Sequence, residues 1–402
     1  MNNCMKNILL CLLSGLLLCA CHHHEELDKK ARRTVIAYIV AENSLDSFIG
    51  EDLREMLSAK DSIPLDCNFV VYLDNTSMPT LYTYSTAGKT LIKTYPEQDS
   101  CDSLTFRNTL AEIIEAYPAE EYALIMWSHG SGWIPCPKTS SAKGPRKTIG
   151  VDSNNNTTSN TGTELEIPVM RRMLEDLNVH WNYIFFDACF MQGVEVDYEL
   201  RNVCDYIIAS PAEIPGEGAP YNLVMKSFFK DQGAAESIAN IYHQANINKT
   251  YGSTKGGLII SVAQTNKMEA LANHIKPLVI KRFSNKQEYS LSKAQAYCNY
   301  NAWSVWKPEY HDLGSAMNQL LNSPEEYQQL VQQLQQTYPV NLHTDYWLSE
   351  FFSNYQGVVY DAEHLASVSM FFPHSKYEQV NYNNRLHDYQ WYKAAGWDQT
   401  GW

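Results

Sequence analysis

The sequence predicts an α/β fold: a mostly parallel central sheet with helices on both faces, followed by a mainly helical C-terminal extension. Short runs rich in β-branched and aromatic residues alternate with stretches of helical spacing through the first part of the chain. Parallel strands joined by right-handed helical crossovers produce that alternation. Aliphatic and aromatic residues make up 45% of the 402 residues, enough for a sizeable buried core. Beyond about residue 264 the pattern is mostly helical.

The elements follow in order. Residues 34–40 (TVIAYIV) read as a strand, and Asn43 or Ser44 as the cap of a helix that runs to about Leu57. Residues 68–73 (NFVVYL) form a second strand, and 81–84 with 90–94 a small hairpin split by Ala87-Gly88. Residues 102–116 have helical spacing (Leu104, Leu110, Ile113, Ile114), and 122–127 (YALIMW) form a strand. A loop rich in Gly, Ser, Pro, Lys and Asn covers 128–162. Then come a helix over 164–177, a strand over 183–186, a helix over 190–202 and a strand over 206–209. Residues 257–262 (GLIISV) suggest a late strand, and 367–372 (SVSMFF) an apolar run ended by Pro373. The expected organisation is a leader over 1–20, a tether over 21–33, a core over 34–263 and the helical region over 264–402.

The net charge of −14 argues against a nucleic-acid binder, which needs a basic face to displace counterions. At the N-terminus, Lys6 precedes an uncharged run over 8–20 that is too short to span a bilayer and suits a signal peptide. It ends in Leu18-Cys19-Ala20-Cys21, which resembles a bacterial lipobox with Cys21 as the lipidated first mature residue. The expected location is therefore the cell envelope, at the outer membrane or cell surface, with a lipid as the membrane contact. Past Cys21 six cysteines remain, namely Cys67, Cys101, Cys136, Cys189, Cys204 and Cys298, with no C-x-x-C pair among them. That spacing supports neither a zinc site nor a thioredoxin motif.

Two segments carry potential chemistry. One buried strand runs straight into His129-Gly130-Ser131-Gly132, and another into Asp187-Ala188-Cys189 with a helix expected directly after. Ligands bind an open parallel sheet at the carboxyl ends of its strands. If the two strands are neighbours, His129 and Cys189 emerge side by side. A thiolate is favoured by a nearby imidazole and by a helix N-terminus. Gly130 allows close backbone approach, and its N–H suits an oxyanion. The plainer alternative is a buried core thiol and a loop histidine.

Residues 117–133 (YPAEEYALIMWSHGSGW) and 182–200 (NYIFFDACFMQGVEVDYEL) together resemble the clostripain family of cysteine peptidases, grouped with caspases, gingipains and legumains. The resemblance continues through 34–56, 206–222, 311–321 and 367–382, so it covers nearly the whole mature chain. It implies a caspase-like three-layer sandwich, with His129 as the catalytic histidine and Cys189 as the nucleophile. It also implies cleavage of protein or peptide substrates after Arg or Lys. A basic side chain calls for a carboxylate in its pocket. Asp187, two residues before Cys189, is the first candidate and Glu213 the rival. Family members are often cut between the His and the Cys, which makes Lys143, Arg146 and Lys147 the expected self-cleavage points. The chemistry requires no cofactor. Some members need calcium, and residues 152–156 (DSNNN) offer oxygen ligands without EF-hand spacing. Two departures stand out: Ser128 where an acidic residue is common, and Pro211 where Gln is usual.

Other readings lack their motifs. There is no G-x-S-x-G elbow for an α/β-hydrolase, no H-E-x-x-H, and Gly216-Glu217-Gly218 lacks the third glycine of a dinucleotide fingerprint. A reading from a different class remains: a catalytically inactive surface lipoprotein that binds peptides or polymers on the same fold.

Overall fold

The computed structural model describes residues 30–134, 149–153, 162–297, 310–349 and 356–402. Strand β1 spans Ala31–Val40 and helix α1 spans Asp46–Ser58. Next come β2 (Cys67–Asp74), the hairpin of β3 (Thr80–Ser85) and β4 (Gly88–Thr94), α2 (Ser103–Ala116) and β5 (Ala119–Trp127). A small pair, β6 (Ile149–Asp152) and β7 (Thr163–Leu165), leads to α3 (Ile167–Asp176) and β8 (Trp181–Asp187). Then follow α4 (Val194–Leu200), β9 (Cys204–Ala209), α5 (Tyr221–Phe228) and α6 (Ala234–Asn246). Strand β10 (Ile259–Gln264), α7 (Met268–Phe283) and β11 (Val340–His343) complete the elements needed below.

The central sheet has nine strands in the order β11-β10-β9-β8-β5-β1-β2-β3-β4. Pairing is parallel from β9 to β2 and antiparallel at both edges. The β2–β3 and β3–β4 connections are too short for the crossover that parallel neighbours require. Strand β1 shows how the layers arise from a period of two. Ile36, Tyr38 and Val40 face one core with Phe106 and Leu110 of α2 and Met170 of α3. Val35, Ala37 and Ile39 face the other with Ile49 and Met56 of α1, Val224 and Phe228 of α5, and Ile238 of α6. The molecule is thus a three-layer sandwich.

The region after 264 contributes to the sheet as well as covering it. Strand β11 pairs with β10, while Met268, Leu271 and Ile275 of α7, together with Trp391 and Trp397, join the first core. No helix among the described residues is long and apolar enough to cross a membrane.

Several expected boundaries move. Helix α1 starts at Asp46, with neither Asn43 nor Ser44 as its cap. Asn43 instead accepts from the Leu45 N–H (2.9 Å) and donates to the Val40 and Val151 carbonyls (3.1 and 2.8 Å). The stretch expected as one helix from 164 begins as β7, and the loop expected over 128–162 contains β6. The helix expected from 190 starts at Val194, because Phe190 adopts a left-handed φ of 62° that no helix accommodates.

Candidate active site

Strands β5 and β8 lie side by side in parallel, with Trp127 opposite Asp187 at their carboxyl ends. The segments that leave them therefore run together along one edge of the sheet. Contact is close at Gly130. A Cβ there would lie 2.5 Å from the Cys189 carbonyl oxygen and 3.1 Å from the Ala188 Cβ. Any larger residue would push the two segments apart, which is why this position requires glycine.

The His129 segment is held from three sides. Ser128 is buried; its hydroxyl donates to the Val40 carbonyl (2.7 Å) and accepts from the Val151 N–H (3.1 Å). This neutral residue thus ties β5 to β1 and β6. The His129 carbonyl accepts from the Gly150 N–H (3.0 Å). Further along, the Tyr310 hydroxyl donates to the Ser131 carbonyl (2.6 Å) and accepts from the N–H groups of Trp133 and Ile134 (3.1 and 2.8 Å). The imidazole itself is half-buried, with Nε2 3.0 Å from the Ser44 hydroxyl.

Cys189 is also half-buried. Its Sγ accepts from the Ile214 N–H at 3.4 Å. The segment that follows is stitched to the chain leaving β9, through Phe190 N–H to the Ala212 carbonyl (3.0 Å) and Gln192 N–H to the Ser210 carbonyl (2.9 Å). Helix α4 starts five residues past Cys189, so its N-terminus does not supply the thiolate stabilisation expected from sequence. The other described cysteines differ in kind. Cys67, Cys101 and Cys204 are buried, and burial pushes their thiols up, Cys67 to about 11. They are inert core thiols.

Asp187 ends β8 fully buried, beneath Gly218. Its carboxylate accepts from the Ala219 N–H (3.0 Å) and from the hydroxyls of Tyr221 (3.0 Å) and Tyr242 (3.3 Å). Burial raises it to about 6, and these three donors restrain the rise. A Cβ on Gly218 would lie 2.8 Å from its Oδ2, and φ at Gly218 is +63°, so glycine is required twice over. The Gly216-Glu217-Gly218 segment is thus a cover over this carboxylate. Tyr242 also lies within electrostatic reach of Cys189. A second acid, Asp52 of α1, sits nearby. Burial, then repulsion from Asp187, pushes it up to about 9, and the Trp127 indole N–H bonds it. Glu213 is buried and accepts from the Ser349 hydroxyl.

Cys21, Lys143, Arg146 and Lys147 lie outside the described residues, as do 154–156 of the oxygen-rich run. Asp152 does not act alone. With Glu42, just past β1, and Asp74, at the end of β2, it forms a fully buried cluster in which one carboxylate oxygen from each residue lies within 4.8 Å of the other two. Asp74 accepts from the Ser100 hydroxyl through Oδ2, while its Oδ1 is buried without a hydrogen bond. Burial, with repulsion from Asp152 and Glu42, pushes Asp74 up to about 8. Sequence reasoning alone does not bring this cluster, Ser44 at His129, Tyr310 or Ile214 to the site. Asp52 does leave a trace there: it is the one acid on the buried 49/52/56 face of α1.

The sequence profile of the clostripain family matches residues 37–402. Among solved structures, the chain is similar to a secreted C11 cysteine protease from Bacteroides thetaiotaomicron in complex with an irreversible peptide inhibitor. That pair shares 29% identity over 91% of this chain and 99% of the other, with a TM-score of 0.74. An inactive zymogen C11 protease from Parabacteroides distasonis shares the fold at 23% identity, over 91% of this chain and 98% of the other, with a TM-score of 0.75. No curated protein matches the chain.

Proposed function

The chain belongs to the clostripain family of cysteine peptidases, and from that premise we propose that it is an endopeptidase working through a His129–Cys189 dyad. The observation that carries the assignment is the packing of Gly130 against the Cys189 backbone, at the shared carboxyl edge of β5 and β8. Cys189 Sγ loses its proton to His129 and attacks the scissile carbonyl carbon. The tetrahedral oxyanion is held by backbone N–H groups near Gly130 and Cys189. The C–N bond breaks as His129 returns the proton to the leaving amine, which leaves a thioester. His129 then takes a proton from water; the hydroxide adds to the thioester, and the sulfur leaves with the acid product released.

Substrates are proteins or peptides. The preference is for Arg or Lys at the cleaved bond, with Asp187 as the pocket carboxylate and Glu213 as the rival. The chain is cut after Lys143, Arg146 or Lys147 and stays associated, since strands on both sides of the cut share one sheet. A lipid on Cys21 anchors it to the cell envelope. One mass-spectrometric experiment on protein from its native membrane tests these readings together. Iodoacetamide is expected to modify Cys189 well before Cys67, Cys101 and Cys204, since only Cys189 among them is half-exposed. The same spectra are expected to show termini after one of the three basic residues and an acyl mass on Cys21. Equal labelling of all four thiols would remove the nucleophile assignment. An intact, fully active chain would remove the processing step.

Calcium is a further proposal, favoured by the Glu42–Asp74–Asp152 cluster. Carboxylate oxygens are the ligand type a hard cation takes, and the buried, unbonded Oδ1 of Asp74 is an atom that a cation would satisfy. A bound cation would neutralise three buried carboxylates and tie together the ends of β1, β2 and β6. Millimolar calcium is expected to raise Tm by about 3–6 °C over the EGTA-treated protein, and the increment should vanish in Asp74→Asn. Identical unfolding curves with calcium and EGTA would rule the site out.

A further inference from the structure

Tyr310 belongs to the C-terminal region, yet its side chain sits between the segments that follow His129 and Cys189. It is fully buried. Its hydroxyl donates to the Ser131 carbonyl (2.6 Å) and accepts from the Trp133 and Ile134 N–H groups (3.1 and 2.8 Å). One phenol oxygen thus gathers the backbone just past His129 into a turn. Its ring stacks on Phe190, the residue after Cys189, with centroids 6.0 Å apart and planes at 25°. Gly132 lies in the angle between them. Its φ is +69°, and a Cβ there would stand 2.6 Å from the Tyr310 hydroxyl oxygen and 2.9 Å from the Phe190 carbonyl oxygen. The frame that carries Tyr310 is fixed to the same surroundings. The Tyr310 carbonyl accepts from the Tyr297 N–H (2.9 Å), and the next two residues, His311–Asp312, pair with Ser369–Met370. Ser369 N–H in turn donates to the carbonyl of Gln192 (2.9 Å), in the segment leaving Cys189.

A contact at one point fixes a separation, and contacts at two points fix an orientation. Gly130 against the Cys189 carbonyl is the first point, and Gly132 against the Phe190 carbonyl is the second. We propose that Tyr310 is a positioning residue for the peptidase reaction: it clamps the segment after His129 to the segment after Cys189 and so sets the orientation of one loop toward the other. The inference rests on the assignment of His129 and Cys189 as the reacting pair. Tyr310 acts through the main chain on which those two side chains are carried. A misplacement of about 1 Å at a reacting group costs on the order of 10²-fold in rate, so such a clamp acts on kcat. The region after 264 is then part of what aligns the site as well as a cover for the sheet.

Peptide kinetics on the mature, full-length enzyme test this with Tyr310→Phe, which keeps the ring stack and removes the hydroxyl. Tyr289→Phe is the matched control. Tyr289 lies in the same C-terminal region, and its hydroxyl donates to the Phe372 and Pro373 carbonyls (2.7 and 2.8 Å), which belong to neither active-site segment. Both variants are expected to lower Tm by a few degrees. Only Tyr310→Phe is expected to lower kcat, by on the order of 10-fold, with KM within about 2-fold. That loss should persist far below Tm, where both variants are fully folded. A wild-type kcat in Tyr310→Phe overturns the proposal. So does an equal loss of kcat in Tyr289→Phe, since the effect would then belong to general stability. If Tyr310→Phe does not fold, Phe190→Leu, which keeps the hydroxyl and removes the ring beneath it, is decided by the same two outcomes. His129→Ala separates this from the underlying assignment. An inactive His129→Ala beside an unaffected Tyr310→Phe defeats only the role of Tyr310, whereas an active His129→Ala defeats both.

Discussion

Cys189→Ala and His129→Ala are each expected to lower kcat by at least about 10³-fold, because in the proposed mechanism the nucleophile and its proton carrier act as one unit. The fold should survive. Cys189 is half-buried at a loop, where its thiol accepts from the Ile214 N–H and donates to the Ile214 carbonyl at 4.0 Å. Losing that acceptor costs about 1 kcal/mol at most, so Tm should move by no more than a few degrees. Peptide turnover measured beside thermal unfolding separates lost chemistry from lost structure. A folded Cys189→Ala enzyme that keeps more than a few per cent of wild-type activity removes the residue from the mechanism.

Asp187→Asn carries the second large effect. The carboxylate is buried among donors, with no cationic side chain of the described residues acting on it, and burial lifts it from the ordinary 3.8 to about 6. A carboxyl whose folded pKa is raised favours folding below its unfolded pKa and loses that contribution as pH climbs through the folded value. At neutral pH the ionised Asp187 therefore costs the fold roughly 3 kcal/mol. A guanidinium or ammonium group from the substrate would recover this, bidentately for Arg and as a point charge for Lys. The wild-type ratio of kcat/KM for Arg or Lys over Gln substrates is expected to rise as pH passes through about 6. In Asp187→Asn that ratio should fall by on the order of 2–5 kcal/mol and lose its pH dependence, while Tm at pH 8 holds or increases. A ratio that does not change, with both rates shifted together, leaves Asp187 a structural role and moves the pocket to Glu213.

These residues differ in how legible they are in the sequence. Cys189 and His129 stand where an apolar run stops, and stops of that kind are local, so they can be read directly. Asp187 can be read as the last residue of its strand. Its cover by Gly218 and its three donors cannot, because Tyr221 and Tyr242 come from the helix layer and reach it only through packing. The helix wrongly expected from 190 has an instructive cause: 190–202 has helical composition, but Phe190 turns left-handed as its N–H bonds the Ala212 carbonyl. A tertiary bond overrides local propensity there.

By itself the sequence determined the strand runs, the helix-rich layers and the family, and it marked His129 and Cys189 as candidates, because apolar periodicity and motif are properties of contiguous residues. Only the tertiary structure decided that Gly130 rests on Cys189, that Ser44 meets His129, and that Glu42, Asp74 and Asp152 converge. Each of those contacts joins residues far apart in the chain, through strand order and register. Burial, which raises Asp187, Asp52 and Asp74, likewise depends on what covers a residue and not on which residues stand beside it in the chain.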